Sequence, residues 1–285
     1  MTKIQWTNKT WNIVVGCDKT SEGCQNCYAE KFANRLAGEL YQYGQVITNG
    51  KWNGKTSFVK ENLQLPLKWK KPRLVFVSSM GDLFHDTVRH HTLDNVFEVM
   101  GYCQKHIFQL LTKRPKNALR YSQQSPIFNA WTEWGNIWIG ATTENQKYYE
   151  KRIIDLLAIK NLDTKYLSCE PLLGPIDLHL KTLHHDNILK IANETNVLKW
   201  VIVGCESGNR RRETKIKWIE DIVDQCQRYQ VPVFVKQVEI DGKVLKDIND
   251  FPKHLQIQEY PKYHMGDYVV NNLIRDLRAT KKKNG

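Results

Sequence analysis

Long hydrophobic runs are missing from this 285-residue chain. No stretch approaches the ~20 apolar residues of a membrane-spanning helix, so a membrane partner is not expected. The opening residues, MTKIQWTNKT, lack the apolar core of a secretory signal, and the expected location is cytoplasmic. Cysteine is sparse. There are seven, and four of them (Cys103, Cys169, Cys205 and Cys226) are scattered. In a reducing compartment that pattern excludes a disulfide framework. Negative charge is also in short supply: 30 Asp and Glu stand against 42 Lys and Arg, a net charge of +12. With 41% hydrophobic and 25% charged residues the composition is neither disordered nor membranous.

Short apolar runs recur along the chain: 10–17, 73–79, 106–112, 136–142, 164–170, 199–207 and 231–237. Each is rich in β-branched and aromatic residues and reads as a buried strand. Amphipathic stretches at 29–38, 91–105, 144–159 and 215–230 read as helices between them. The expected fold class is α/β, a full or partial parallel (β/α) barrel of about six or seven units spanning 1–240. An insertion or lid with Asn-Gly turn signals interrupts it at about 41–72. A small appendage at 241–274 opens on an Asp241-Gly242 turn, and residues 275–285 form a basic tail expected to fray.

Nearly every strand ends in polar or reactive groups: Cys17; Ser78, Ser79 and Asp82; Lys113 and Arg114; Thr143 and Glu144; Cys169 and Glu170; Cys205 and Glu206; Lys236 and Gln237. Parallel strands open onto one face, so these endings predict a shared binding mouth.

The densest signal is Cys17-Asp-Lys-Thr-Ser-Glu-Gly-Cys24-Gln-Asn-Cys27, a C-x6-C-x2-C loop directly after the first strand. Three thiolates on one loop are a metal ligand set. A structural zinc site closes with four ligands, whereas a [4Fe-4S] cluster held by three cysteines leaves one iron open. That iron can chelate S-adenosylmethionine for radical chemistry. Zinc stays open as the alternative, its fourth ligand coming from His85, Cys169 or Cys205. Cys103 and Cys226 fall in helical patterns as core residues, and Trp6 and Trp11 read as core packing or a lid over the loop.

Gly16-Cys17, Gly23-Cys24-x-x-Cys27-Tyr28-Ala29-Glu30, Pro72-Arg73, Ser79-Met80-x-Asp82-Leu83-Phe84-His85 and Leu111-Thr112-Lys113-Arg114-Pro115 carry a family resemblance. So do Ser168-x-Glu170-Pro171-Leu172-Leu173-Gly174, Glu206-Ser207-Gly208 and Lys236-Gln237. Together they resemble a phage-encoded three-cysteine family, labelled by mycobacteriophage gene products thirty-seven and sixty-eight or as a domain of unknown function. The resemblance runs from about Thr2 to about Gln237 and implies a radical-SAM-like partial barrel in a phage or mobile-element setting. It also implies a partner protein named after the three-cysteine motif. The chain departs from the pattern at Cys205, where glycine is expected. The six-residue gap after Cys17 is longer than the three of most radical enzymes of this superfamily.

The candidate roles follow. Cys17, Cys24 and Cys27 are the metal ligands. Ser78, Ser79, Asp82, Thr143, Glu144 and Glu170 are candidate cofactor-binding residues, although a helix N-cap accounts equally for Ser78 to Asp82. Lys113, Arg114 and Glu206 are the catalytic candidates. Glu144, Glu170 and Glu206 serve either as ribose or proton-handling groups or as ion-pair partners of Lys113, Arg114 and Lys236. The tail contributes five basic and one acidic residue, so the body still carries +8. With the Arg210-Arg211-Arg212 run past a strand end, this fits a nucleic-acid or nucleotide substrate, or merely a solvated surface. The expected function is base or nucleotide modification by an S-adenosylmethionine radical enzyme, which also requires an electron donor. A non-enzymatic iron–sulfur or zinc nucleic-acid module, and a radical enzyme on a protein or small metabolite, stay open.

Overall fold

The computed structural model describes residue 2 and residues 4–185 and 198–262. Its centre is an eight-stranded sheet. The strands are β1 (Lys9–Trp11), β2 (Leu74–Val77), β3 (Ile107–Thr112), β4 (Ile137–Thr142), β5 (Thr164–Cys169), β6 (Leu198–Gly204), β7 (Val233–Ile240) and β8 (Lys243–Leu245). β1 to β7 lie in chain order and pair in parallel, and β8 returns antiparallel on β7. The helices are α1 (Tyr28–Leu36), α2 (His90–Tyr102), α3 (Pro115–Gln124), α4 (Pro126–Thr132), α5 (Gln146–Leu157), α6 (Leu180–His185) and α7 (Ile216–Arg228).

The strands read as near-continuous apolar runs because both faces are covered. Val75, Val77, Phe108, Leu110, Ile139, Val201 and Val235 share a core with helix residues such as Phe97, Tyr121, Leu156 and Ile222. The alternate positions (Leu74, Phe76, Ile107, Trp138, Tyr166, Trp200, Ile202 and Phe234) form a second core around Trp6. The Trp6 ring lies 4.7 Å from Phe76 on β2 and 6.3 Å from Trp200 on β6. In a flat sheet those strands would stand about 19 Å apart, at ~4.8 Å per strand. The sheet therefore curls strongly around the aromatic core. The Tyr166 hydroxyl on β5 donates to the Leu110 carbonyl on β3 at 2.9 Å. Gly140 on β4 leaves the room for that ring, since a Cβ there would collide with it.

The apolar run 10–17, expected as one strand, is two pieces. β1 ends at Trp11, and Val14–Val15 pairs antiparallel with Ser57–Phe58 of the insertion. The reason lies in Ser78. Its amide donates to the Trp11 carbonyl and its hydroxyl accepts from the Val14 amide, steering the backbone off the sheet. The rest of the insertion holds a short helix, Tyr41–Gly44, and a ribbon, Ile47–Thr48 with Lys51–Trp52, turned at Asn49-Gly50. Both turn residues take positive φ, 51° and 76°.

The described part of the C-terminal segment, up to residue 262, packs against the sheet. Phe251 and Leu255 are buried in the main core. The Val235 amide donates to the Ile257 carbonyl and the Glu259 amide to the Val233 carbonyl. Tyr260 stacks on Trp200 at 5.3 Å. β8 and residues 257–259 thus occupy the outer edge of β7. Residues 263–274 of the expected 241–274 appendage, and the whole basic tail, lie outside the described residues.

Trp200 touches Trp6, Trp138, Tyr166, Phe234 and Tyr260 and is fully buried. Trp200→Ala should cost about 3–5 kcal/mol in urea unfolding. A loss below ~1 kcal/mol would contradict the inner core as described.

Candidate functional site

Parallel strands end on one edge of the sheet, and the loops leaving that edge line a cavity of about 240 Å³. Its floor is Trp6, Phe76 and Leu111. Cys17, Cys24 and Cys27 all contribute to its wall, with Ser79 and Asp82 after β2 and Lys113 and Arg114 after β3. On the far side stand Glu170 after β5, Cys205 and Glu206 after β6, and Lys236 and Gln237 on β7. The shared mouth expected from the strand endings is therefore present. Ser78, Thr143 and Glu144 do not line it. Ser78 holds the exit of β1, Thr143 is buried against Cys169 Sγ at 3.4 Å, and Glu144 lies behind the wall.

The strand-end carboxylates are mostly spent on holding the cysteine loop. Glu144, fully buried, accepts from the Ser21 hydroxyl at 2.5 Å, from Arg152 at 2.8 Å and from Lys113. Gly23 packs so closely on Glu144 that a Cβ would collide with it. Glu206 accepts from Asn26 Nδ2 at 3.0 Å and from the Arg212 amide and guanidinium. Arg212 then reaches the Glu22 carbonyl at 2.9 Å. Asp82 accepts from Thr112, from the Lys113 amide and from Arg114 at 3.1 Å. Arg114 in turn bonds Asp18 and sits 3.8 Å from Cys17 Sγ. The exits of β2 and β3, of β4 and of β6 therefore grip the loop at its start, its middle and its end. Glu170 is different: it pairs with Lys236 at 2.6 Å and touches no loop residue in these bonds.

The electrostatics follow from these contacts. Burial opposes the charge on Glu144, but Lys113 and then Arg152 outweigh it and hold the carboxyl below its usual range. Glu206 is lowered in the same way, against burial, by the hydrogen bonds from Arg212 and Asn26. Burial, followed by the charge of Asp82, pushes the Cys17 thiol up to about 12. For Cys24 burial is outweighed by Lys113 and by bonds from Thr20 and Ser21, and the thiol is lowered. Lys113 and Arg114 thus place two cations against two of the three thiols.

All seven cysteines are free of disulfides. Cys103 and Cys226 are buried core residues, as their helical setting suggested. Of the groups considered as a fourth zinc ligand, Cys205 lines the cavity and Cys169 faces the outer core. His85 is buried and bonded to Asp18 at 2.7 Å and Thr87 at 2.9 Å. Among the described residues, no three His, Cys, Asp or Glu side chains are gathered within the span of one metal ion. No described helix is long and apolar enough to cross a membrane.

A family model described as "Protein of unknown function (DUF5131)" matches residues 1–276. The chain belongs to the DUF5131 family. No curated protein matches the chain, and no solved structure does. The DUF5131 match spans the cysteine loop, all eight strands and every clamp residue, so the site and its supports fall within one family unit.

Ser21, Asn26, Arg152 and Arg212 were not anticipated as site supports. Arg212 belongs to the basic run read as a phosphate-binding surface. Arg212 is paired with Glu206, and Arg211 with Glu239 at 3.2 Å and with the Gly242 carbonyl. Arg210 is the exposed member of the run.

Glu144→Ala would leave Lys113 and Arg152 without their carboxylate and should cost about 3–5 kcal/mol. The Cys24 thiol should then react faster with a maleimide, because the loop loses its middle anchor. Since the folded carboxyl titrates below its ordinary 4.5, its contribution is complete above that pH and is lost as pH falls through the folded value. The stability gap between wild type and Glu144→Gln should therefore narrow below about pH 4.5. A gap that is constant down to acid unfolding would mean the carboxylate does not hold the loop.

Proposed function

We propose that this chain is an iron–sulfur protein, a radical S-adenosylmethionine enzyme that modifies a nucleic-acid base or nucleotide. The observation that carries the reading is the cavity itself. Three free cysteines of one loop line it, two cations stand beside them, and the loop is clamped from several strand exits. The donor set suits the group. Three thiolates and no fourth cysteine on the loop match a cluster with one open iron, and a cluster spreads its thiolates over different irons.

When bound, such a cluster with S-adenosylmethionine at its open iron supplies one-electron cleavage of the sulfonium and hydrogen abstraction from a substrate. The chain's own residues have narrower tasks. Cys17, Cys24 and Cys27 would hold the metal, while Lys113 and Arg114 offset the negative charge of three thiolates. Glu144 and Glu206 keep the loop in place, acting as positioning residues. Ser79 and Asp82 reach the wall on the β2 side and Glu170 with Lys236 on the β5–β7 side, on either hand of the loop. These are the surfaces offered to cofactor and substrate. Trp6, Phe76 and Leu111 keep water from the floor.

The curled, sequentially ordered sheet supports a partial parallel barrel as the frame. With β8 and residues 257–259 on the edge of β7, that edge is already taken. The resemblance to the phage three-cysteine family, its partner protein, an electron donor and a cytoplasmic setting belong to the same proposal.

Anaerobically reconstituted protein should hold about four irons and four sulfides per chain. Cys17→Ala, Cys24→Ala and Cys27→Ala should each abolish this, and Cys103→Ala should not. The loaded protein should bind S-adenosylmethionine in equilibrium dialysis and release 5′-deoxyadenosine with dithionite. Asp82→Ala should weaken that binding. A colourless protein with one tightly held zinc would replace the reading with a metal-binding module. A loaded protein that neither binds nor cleaves the cofactor would leave an iron–sulfur protein without radical chemistry.

A further inference from the structure

The loop that carries the cysteines runs straight into α1, and the outer face of that helix is unusual. Tyr28 is 55% exposed and Phe32 51% exposed. Four residues apart on a helix, they lie one above the other on the same side. Tyr28 is also part of the cavity wall, and its hydroxyl donates to the Ser79 carbonyl at 2.9 Å, which fixes the ring at the rim. Lys31 and Arg35 are exposed on the same helix, interleaved with the rings. Its one carboxylate, Glu30, is turned inward and buried. It accepts from the Trp52 amide at 3.2 Å and pairs with Lys19 at 3.1 Å. The open face of α1 therefore presents two aromatic rings and two cations, with no carboxylate of the helix among them.

We propose that this face is a platform for a single-stranded nucleic acid entering the cavity. Two observations select that occupant. Exposed rings with cations between them match alternating bases and phosphates, since every base can stack and every phosphate can be neutralised. The uppermost ring is shared with the cavity, so a strand tracked along α1 is delivered to the mouth. A duplex hides its base faces and would use the cations alone. The Arg210 to Arg212 run does not take this role, because Arg211 and Arg212 are engaged internally. The inference deepens the proposed function by naming the form of the substrate, and it rests on that reading for the chemistry alone.

The test is fluorescence anisotropy of the full chain with a labelled oligothymidylate and with a duplex, at several salt concentrations. The single strand should bind more tightly than the duplex. Phe32→Ala and Tyr28→Ala should each weaken it about tenfold, and Tyr28→Phe, which keeps the stacking ring and loses only its anchor, should lose less than Tyr28→Ala. Lys31→Ala with Arg35→Ala should reduce the slope of log affinity against log salt by about 1.4. Tyr102→Ala serves as the control, because this exposed ring ends α2, just before β3 begins, and is not among the residues lining the cavity. Iron content, measured on the same Phe32→Ala sample, should equal that of wild type. No binding at low salt, preferential duplex binding, or equal losses in the control would overturn the platform. A wild-type chain that binds the single strand but loads no iron would overturn the cluster reading and leave the platform standing.

Discussion

Everything at the candidate site depends on one buried carboxylate. Glu144 sits at the exit of β4 with no exposure to water, and it is tolerable there because Lys113, Arg152 and the Ser21 hydroxyl surround it. Lys113 belongs to the cavity wall and Ser21 to the cysteine loop, so a single anion links a strand end, a cation and the loop. Glu206 with Arg212, and Asp82 with Arg114, repeat the arrangement on either side. The loop contributes only a short 3-10 turn, Glu22–Cys24, of its own. Its shape is imposed by the sheet beneath it.

The sheet can impose that shape because it is rigid in a particular way. Helices cover its outer face, and large aromatic rings together with Leu74, Ile107 and Ile202 fill the inner one. Inner residues at Phe76, Trp138, Tyr166, Trp200 and Phe234 pack into one core beneath the strand exits, which face a common opening. The chemistry-bearing residues are far apart in sequence, from Cys17 to Gln237, and the curvature is what gathers them.

Much of the fold was legible in the sequence because β2 to β7 are largely buried on both faces and so appear as apolar runs. α3 and α4 were not. PKNALRYSQQ offers only Ala118, Leu119 and Tyr121 to a core, too few for a clear helical period, and both helices are marked instead by proline in the first turn. The cysteine loop and the polar strand endings were legible as a site. The partners of those endings were not, because Glu144 meets Ser21 across 123 residues and Asn26 meets Glu206 across 180. Of the two uses open to the acidic endings, ion pairing is the one observed for Glu144 with Lys113 and for Glu170 with Lys236. The pairing of Arg212 with Glu206 was not legible either, because a run of three arginines does not show which carboxylate each will meet.

The order of the strands has a consequence for how the molecule is born. Each strand docks beside its immediate predecessor, so the sheet can grow from the N-terminus as the chain leaves the ribosome. The cysteine loop is then among the first segments made and among the last to be held. Glu144 follows it by more than a hundred residues, and the Glu206–Arg212 clasp comes later still. Until Glu144 is made, the three thiols are tethered to a half-built sheet, with the loop held only at its start through Arg114 and Asp18. Completion of β6 and the turn beyond it is the moment at which the last clasp closes on the loop, so the shape of the site is fixed late even though its cysteines are made early.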